Sequence, residues 1–236
     1  MSSLSRTTVF ASAAMAAITL AAAAPAEAQD DVNWSFSVTG ATDYVWRGVS
    51  QTDRNPAAFV TGQATFANGF YVGAGAENVD FNEGTDAEYD VWAGWSGKVS
   101  DTLTLDVGAV RYGYIGAPDG TDYDTVELKA ALTAAVGRAT VTGSIYATDD
   151  FFGTDESAVY YEVAASTPVT AKWTVGGAVA RQTVAASSGD YTTWNLGATY
   201  ALTPKASFDL RYHDTDAHEF GDGFDSTLVA AIKFAF

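Results

Sequence analysis

A chain of 236 residues with 29 acidic against 12 basic side chains carries a net charge of −17, which argues against nucleic acid as a partner. It has no cysteine, so disulfides, thiol catalysis and cysteine-held metals are excluded and stability must come from burial or membrane insertion. Hydrophobic residues make up 47% of it, too apolar a composition for a disordered chain.

In chain order, residues 1–28 read as a secretory signal peptide. Arg6 supplies the positive n-region, Val9 to Ala24 the apolar run, and Ala26-Glu27-Ala28 a small-x-small cleavage site that starts the mature chain at Gln29. No later stretch reaches the ~18 consecutive apolar residues of a membrane-spanning helix. If the mature chain enters a bilayer it must do so as a closed barrel, which alone satisfies strand backbone without water.

From Trp34 onward, alternating segments of about ten residues, the length of a tilted membrane strand, are separated by turns. The expected strands are 34–46, 56–67, 70–80, 87–98, 103–114, 123–136, 139–148, 157–167, 172–183, 190–201, 206–214 and 225–236. Short connections (Asn68-Gly69, Ser100-Asp101, Gly137-Arg138, Thr167 to Ala171, Leu202 to Pro204) alternate with longer acidic ones at 47–55, 81–86, 115–122, 149–156, 184–189 and 215–224. Short turns at one end and long loops at the other are the pattern of an outer-membrane barrel, the short end facing the periplasm. The reading is therefore all-β: residues 29–236 as one domain, a transmembrane antiparallel β-barrel of about twelve strands.

Face assignments support it. Trp34, Phe36, Val38, Tyr44 and Trp46 share one side of the first strand, opposite Ser35, Ser37, Thr39, Asp43 and Arg47. Tyr89, Val91, Ala93 and Trp95 oppose Glu88, Asp90 and Ser96 in the fourth. Aromatic residues near strand ends (Trp34, Trp46, Phe70, Tyr89, Trp173, Tyr200, Phe236) suit interface girdles. The last strand puts Leu228, Ala230, Ile232, Phe234 and Phe236 on one face, the alternating aromatic ending expected of a barrel delivered to the barrel-assembly machinery.

The run Ala41-Thr-Asp-Tyr-Val-Trp-Arg-Gly-Val-Ser-Gln51 resembles the opening motif of the TorF family of porin-like outer-membrane proteins, also known as the Gcw_chp type. Asn55-Pro56, Gly69-Phe-Tyr-Val-Gly73 and Glu88-Tyr89-Asp90 with Gly94 continue the likeness, and strand spacing extends it weakly to the C-terminus. Ala57 to Val60 departs from it, since the family usually carries a Gln-containing stretch there. The resemblance implies an outer-membrane location beside lipid and lipopolysaccharide, and a channel. It supplies no substrate and no catalytic residue.

Strand parity turns Asp43, Glu77, Glu88, Asp90, Asp106, Glu127, Glu162 and Asp209 inward, with Arg47, Lys129 and Arg211 among them and Lys172 and Lys233 near the periplasmic rim. Ionised groups facing lipid cost ~2–4 kcal/mol near the midplane, which also favours this placement. The expected lumen is negative and cation-preferring if it conducts. Small residues such as Gly73, Gly75, Gly94 and Gly197 favour an opening, while Tyr71, Trp92, Tyr112, Tyr146 and Tyr160 narrow it. Arg47 reads either as a substrate contact at the mouth or as the partner of a carboxylate such as Glu88, the second being favoured.

The acid clusters of the long loops read as solvated charge, without the spacing of a calcium loop, and no metal or cofactor is expected. With only His213 and His218 and no nucleophile–base pairing, the chain reads as no enzyme. Two readings stay open: a passive channel for small solutes or ions, and a non-conducting structural or receptor barrel.

Overall fold

The computed structural model describes residues 32–185 and 189–236. The expected leader at 1–28, and the centre of the 184–189 connection, lie outside them. Twelve long strands form one closed antiparallel barrel: β1 (Val32–Ala41), β4 (Ala57–Phe66), β5 (Phe70–Asn78), β6 (Ala87–Lys98), β7 (Leu103–Ile115), β8 (Thr125–Val136), β9 (Ala139–Thr148), β10 (Ala158–Pro168), β11 (Trp173–Val184), β12 (Tyr191–Thr203), β13 (Ala206–Thr215) and β14 (Thr227–Ala235). The two remaining strands, β2 (Val45–Trp46) and β3 (Val49–Ser50), pair only with each other. Each long strand pairs with its neighbours in sequence, and β1 closes on β14 from Ser37↔Ala235 to Ala41↔Ala231. The Phe236 N–H donates to the Phe36 carbonyl at 3.0 Å, so no edge is left open there.

The period-two pattern holds around the wall. Trp34, Phe36, Val60, Phe70, Val91, Leu128, Val163, Trp194, Leu196, Leu228 and Phe234 are exposed on the outer face, which in a bilayer meets hydrocarbon. The alternate positions turn inward: Ser37 and Thr61 hydrogen-bond across β1 and β4, and Thr133 and Thr142 across β8 and β9. No described helix is long and apolar enough to cross a membrane.

The first expected strand is too long. Backbone pairing stops at Ala41, and residues 42–56 form a loop, L1, that carries the β2–β3 hairpin into the long-loop end of the barrel. Tyr44 and Trp46, expected on the outer face and in the girdle, are instead 1% and 2% exposed. Alternation registers that a segment has two faces. It does not say whether the apolar face meets lipid or other side chains.

Candidate functional site

The hairpin turns on Arg47-Gly48, with φ of 46° and 86°. A two-residue turn that matches strand twist needs positive φ at both central positions, easy for glycine and strained for arginine. What holds Arg47 there is its side chain. Its guanidinium donates two hydrogen bonds to Glu127 on β8, at 2.8 and 2.6 Å, and one to Gln182 on β11 at 3.0 Å. It lies over the Trp46 ring at 4.1 Å and the Tyr160 ring at 4.2 Å. Burial works against the charge, but the Glu127 carboxylate overrides it, and Arg47 titrates above its ordinary value. Of the two readings of Arg47, the paired one describes its environment, with Glu127 as partner in place of Glu88.

The rest of L1 is pinned as firmly. Gly48 fits against the inner wall so closely that a Cβ would lie 2.1 Å from Thr193 Oγ1. Asp43 accepts from Ser50 Oγ at 2.7 Å and Thr52 Oγ1 at 3.0 Å, and burial raises its pKa against those lowering bonds. Arg54 donates to the Asp222 carbonyl, and the Asp80 N–H donates to the Gln51 carbonyl, tying L1 to two other long loops. Phe151 and Phe152 enter from the loop after β9, with Phe152 held at φ 52°; Phe151 stacks on the Trp46 ring and Phe152 meets it edge-on. Together with Phe81, Tyr112 and Tyr44 they form an aromatic plug across part of the long-loop end.

All the candidate residues on strands turn inward: Glu77 on β5, Glu88 and Asp90 on β6, Asp106 on β7, Glu127 and Lys129 on β8, Glu162 on β10, Asp209 and Arg211 on β13; Asp43 and Arg47 reach the interior from L1. They sort into two layers. Toward the short-turn end, Lys129 pairs with Asp106 at 3.0 Å and Arg211 with Asp209 at 3.2 Å. Tyr71 donates to Asp106, and Arg211 also donates to Asn195. These groups keep partial exposure. Beneath L1, Glu77, Glu88, Asp90 and Glu127 are almost fully buried. Of the four, Arg47 reaches Glu127 alone; Glu77 and Asp90 form no ion pair among the described residues, and neither does Glu162, which takes a hydrogen bond from Tyr160 at 2.8 Å.

The inward glycines do not widen the lumen as expected. The place of a Gly73 Cβ is taken by the Trp92 indole at 2.3 Å, and that of Gly94 by the Tyr71 hydroxyl at 2.3 Å. Small residues on one strand accommodate rings from the next, so the interior is narrower than their count suggests.

Several basic residues escaped the sequence reading, Arg54 of L1 among them. Arg111 and Arg181 sit on the outer face near the long-loop end, where Arg111 contacts Tyr89 and Asp124, and Arg181 contacts Thr192 and Asp190. Their odd-numbered parity on β7 and β11 was legible and marks where the apolar band stops.

A family model described as a bacterial protein of unknown function (Gcw_chp) matches residues 25–233. Among functionally described proteins, none matches in sequence. Among solved structures, the fold is similar to the KdgM porin, with a TM-score of 0.61 at 9% identity over 86% of this chain and 99% of that one. It is also similar to the NanC porin, with a TM-score of 0.58 at 11% identity over 85% of this chain and 97% of that one. A further KdgM structure, described as a complex with disordered oligogalacturonate, aligns with a TM-score of 0.60 at 9% identity, covering 86% and 99% of the two chains. The barrel thus shares the fold of these porins.

Proposed function

The chain belongs to the Gcw_chp family, and from that premise we propose that it is an outer-membrane channel for passive passage of small solutes or ions, with a preference for cations. One observation carries the reading: a closed barrel with an apolar outer face encloses more inward carboxylates than inward bases. Three ion pairs, Arg47–Glu127, Lys129–Asp106 and Arg211–Asp209, neutralise part of the wall, while Glu162, with no ion pair among the described residues, adds negative charge that a low-dielectric frame focuses on the lumen. The porin fold shared with KdgM and NanC supports a channel, and the signal peptide expected from the sequence at 1–28 supports export to the outer membrane. Oligogalacturonate, named with KdgM, is a chain of uronic acids; a wall of this sign disfavours such a polyanion and favours cations or neutral solutes.

The aromatic plug beneath L1 supports a second reading, a non-conducting structural or receptor barrel. Single-channel recording on purified, refolded protein separates the two, since a channel gives discrete conductance steps. In a salt gradient, the reversal potential should show cation preference, strongest at low salt where screening is weak. Glu162→Gln should move it toward zero. Glu127 is left intact in that test because its loss would release Arg47. An anion-selective pore, or an unchanged reversal potential in the Glu162→Gln variant, would refute the charge argument.

A further inference from the structure

Glu77, Glu88 and Asp90 offer three carboxylate oxygens that all lie within 4.8 Å of one another. The strand register makes this cluster. Glu77 on β5 stands directly opposite Glu88 on β6, and Asp90 follows two residues on, on the same inward face. The three side chains are 7%, 0% and 6% exposed. Glu77 Oε1 and Asp90 Oδ1 are completely buried, and no donor of the described chain reaches either. Tyr44 donates to Glu88 Oε2 at 3.4 Å from above. Phe59, opposite Glu77 on β4, packs edge-on against Tyr44 at 4.8 Å and shields the cluster. The nearby cation, Arg47, is committed to Glu127 and Gln182. Three buried acids with two oxygens facing no donor are costly to leave ionised and unpaired, and a bound cation removes that cost.

We propose that Glu77, Glu88 and Asp90 hold a calcium ion beneath L1. The chemistry favours a hard cation with oxygen ligands. Burial favours calcium, because magnesium sheds water reluctantly and keeps several waters in a near-octahedral shell, for which side chains only 0–7% exposed leave little room. The three oxygens, all within 4.8 Å of one another, are close enough to share one such ion. The ion joins β5 and β6 directly beneath Tyr44, so it ties L1 to the wall at a second point, independent of Arg47. The site does not depend on the barrel conducting.

The test is equilibrium binding to the full mature protein refolded in detergent, with terbium and calcium as probes. Tyr44 is hydrogen-bonded to a ligand, so wild-type protein should sensitise terbium emission on tyrosine excitation, and calcium should quench it with a stoichiometry of one per barrel. Glu77→Gln and Asp90→Asn should each weaken calcium binding by about tenfold or more, since affinity follows ligand charge. The double loop variant Glu83→Gln with Asp86→Asn should leave it unchanged. Absence of sensitised emission from folded wild-type protein would overturn the proposal, and so would binding that survives in Glu77→Gln or is lost in the loop variant. A refolded barrel that binds calcium without conducting refutes the channel and leaves the site standing; conductance without calcium binding does the reverse.

Discussion

Replacing Arg47 with alanine tests whether L1 is a docked element or a permanent part of the wall. The side chain is buried with Glu127, at 5% and 2% exposure, and its guanidinium makes two bonds to that carboxylate, one to Gln182 and two close ring contacts. Removing one partner of a buried pair costs about 3–5 kcal/mol, chiefly through the charge left unpaired. Release of L1 relieves that cost by letting water reach Glu127, so most of the penalty falls on the docked state alone. At about 1.4 kcal/mol per decade, the docked-to-released ratio should fall by about a hundredfold or more. The absence of native cysteine makes the measurement clean. With Val49→Cys as reporter, a membrane-impermeant thiol reagent should label the Arg47→Ala background faster by that factor, as expected for local opening. Single-channel recordings of the same variant should show larger or longer openings. Equal labelling rates and equal conductance would show that Arg47 does not govern the constriction.

Gly48→Ala should release the same loop by a different route, since its Cβ would collide with Thr193 and the residue sits at φ 86°; the strain of an L-residue there is about 1–2 kcal/mol before the clash, and Val49→Cys labelling should again accelerate. Replacing Phe234 and Phe236 with serine should leave the chain in the periplasm or degraded, measured by fractionation, because the last strand presents both rings outward and seals the barrel against β1; normal outer-membrane levels would refute this. His218 accepts or donates to Asp214 at 2.8 Å and lies 3.8 Å from Asp225, so its pKa should stand above the ordinary 6.5. A raised folded-state value means that this tether of the last long loop is fully present below about pH 6.5 and is lost as pH rises through the folded pKa. Titration of the His218 ring by NMR should show the shift, and Asp214→Asn should reduce it.

Much of this protein was legible as local pattern. Period-two alternation places Trp34, Phe36 and Val38 on the outer face and Ser37 and Thr39 within, because successive strand side chains must point to opposite sides. The alternation of short and long connections, with twelve strands, follows from the same reading, and it carries Glu77, Asp90, Glu127 and Glu162 to the interior side by parity alone. Tertiary structure decided the rest. Tyr44 and Trp46 continue the parity of β1, yet they belong to a loop whose position is set by Glu127, eighty residues further along the chain. Inward glycines imply space until neighbouring strands bring Trp92 and Tyr71 into it. Glu77 and Glu88 are eleven positions apart, and only the β5–β6 register makes them face one another. Alternation is a property of one strand. Which side chains meet inside a barrel is a property of how its strands are aligned, and no single strand contains that information.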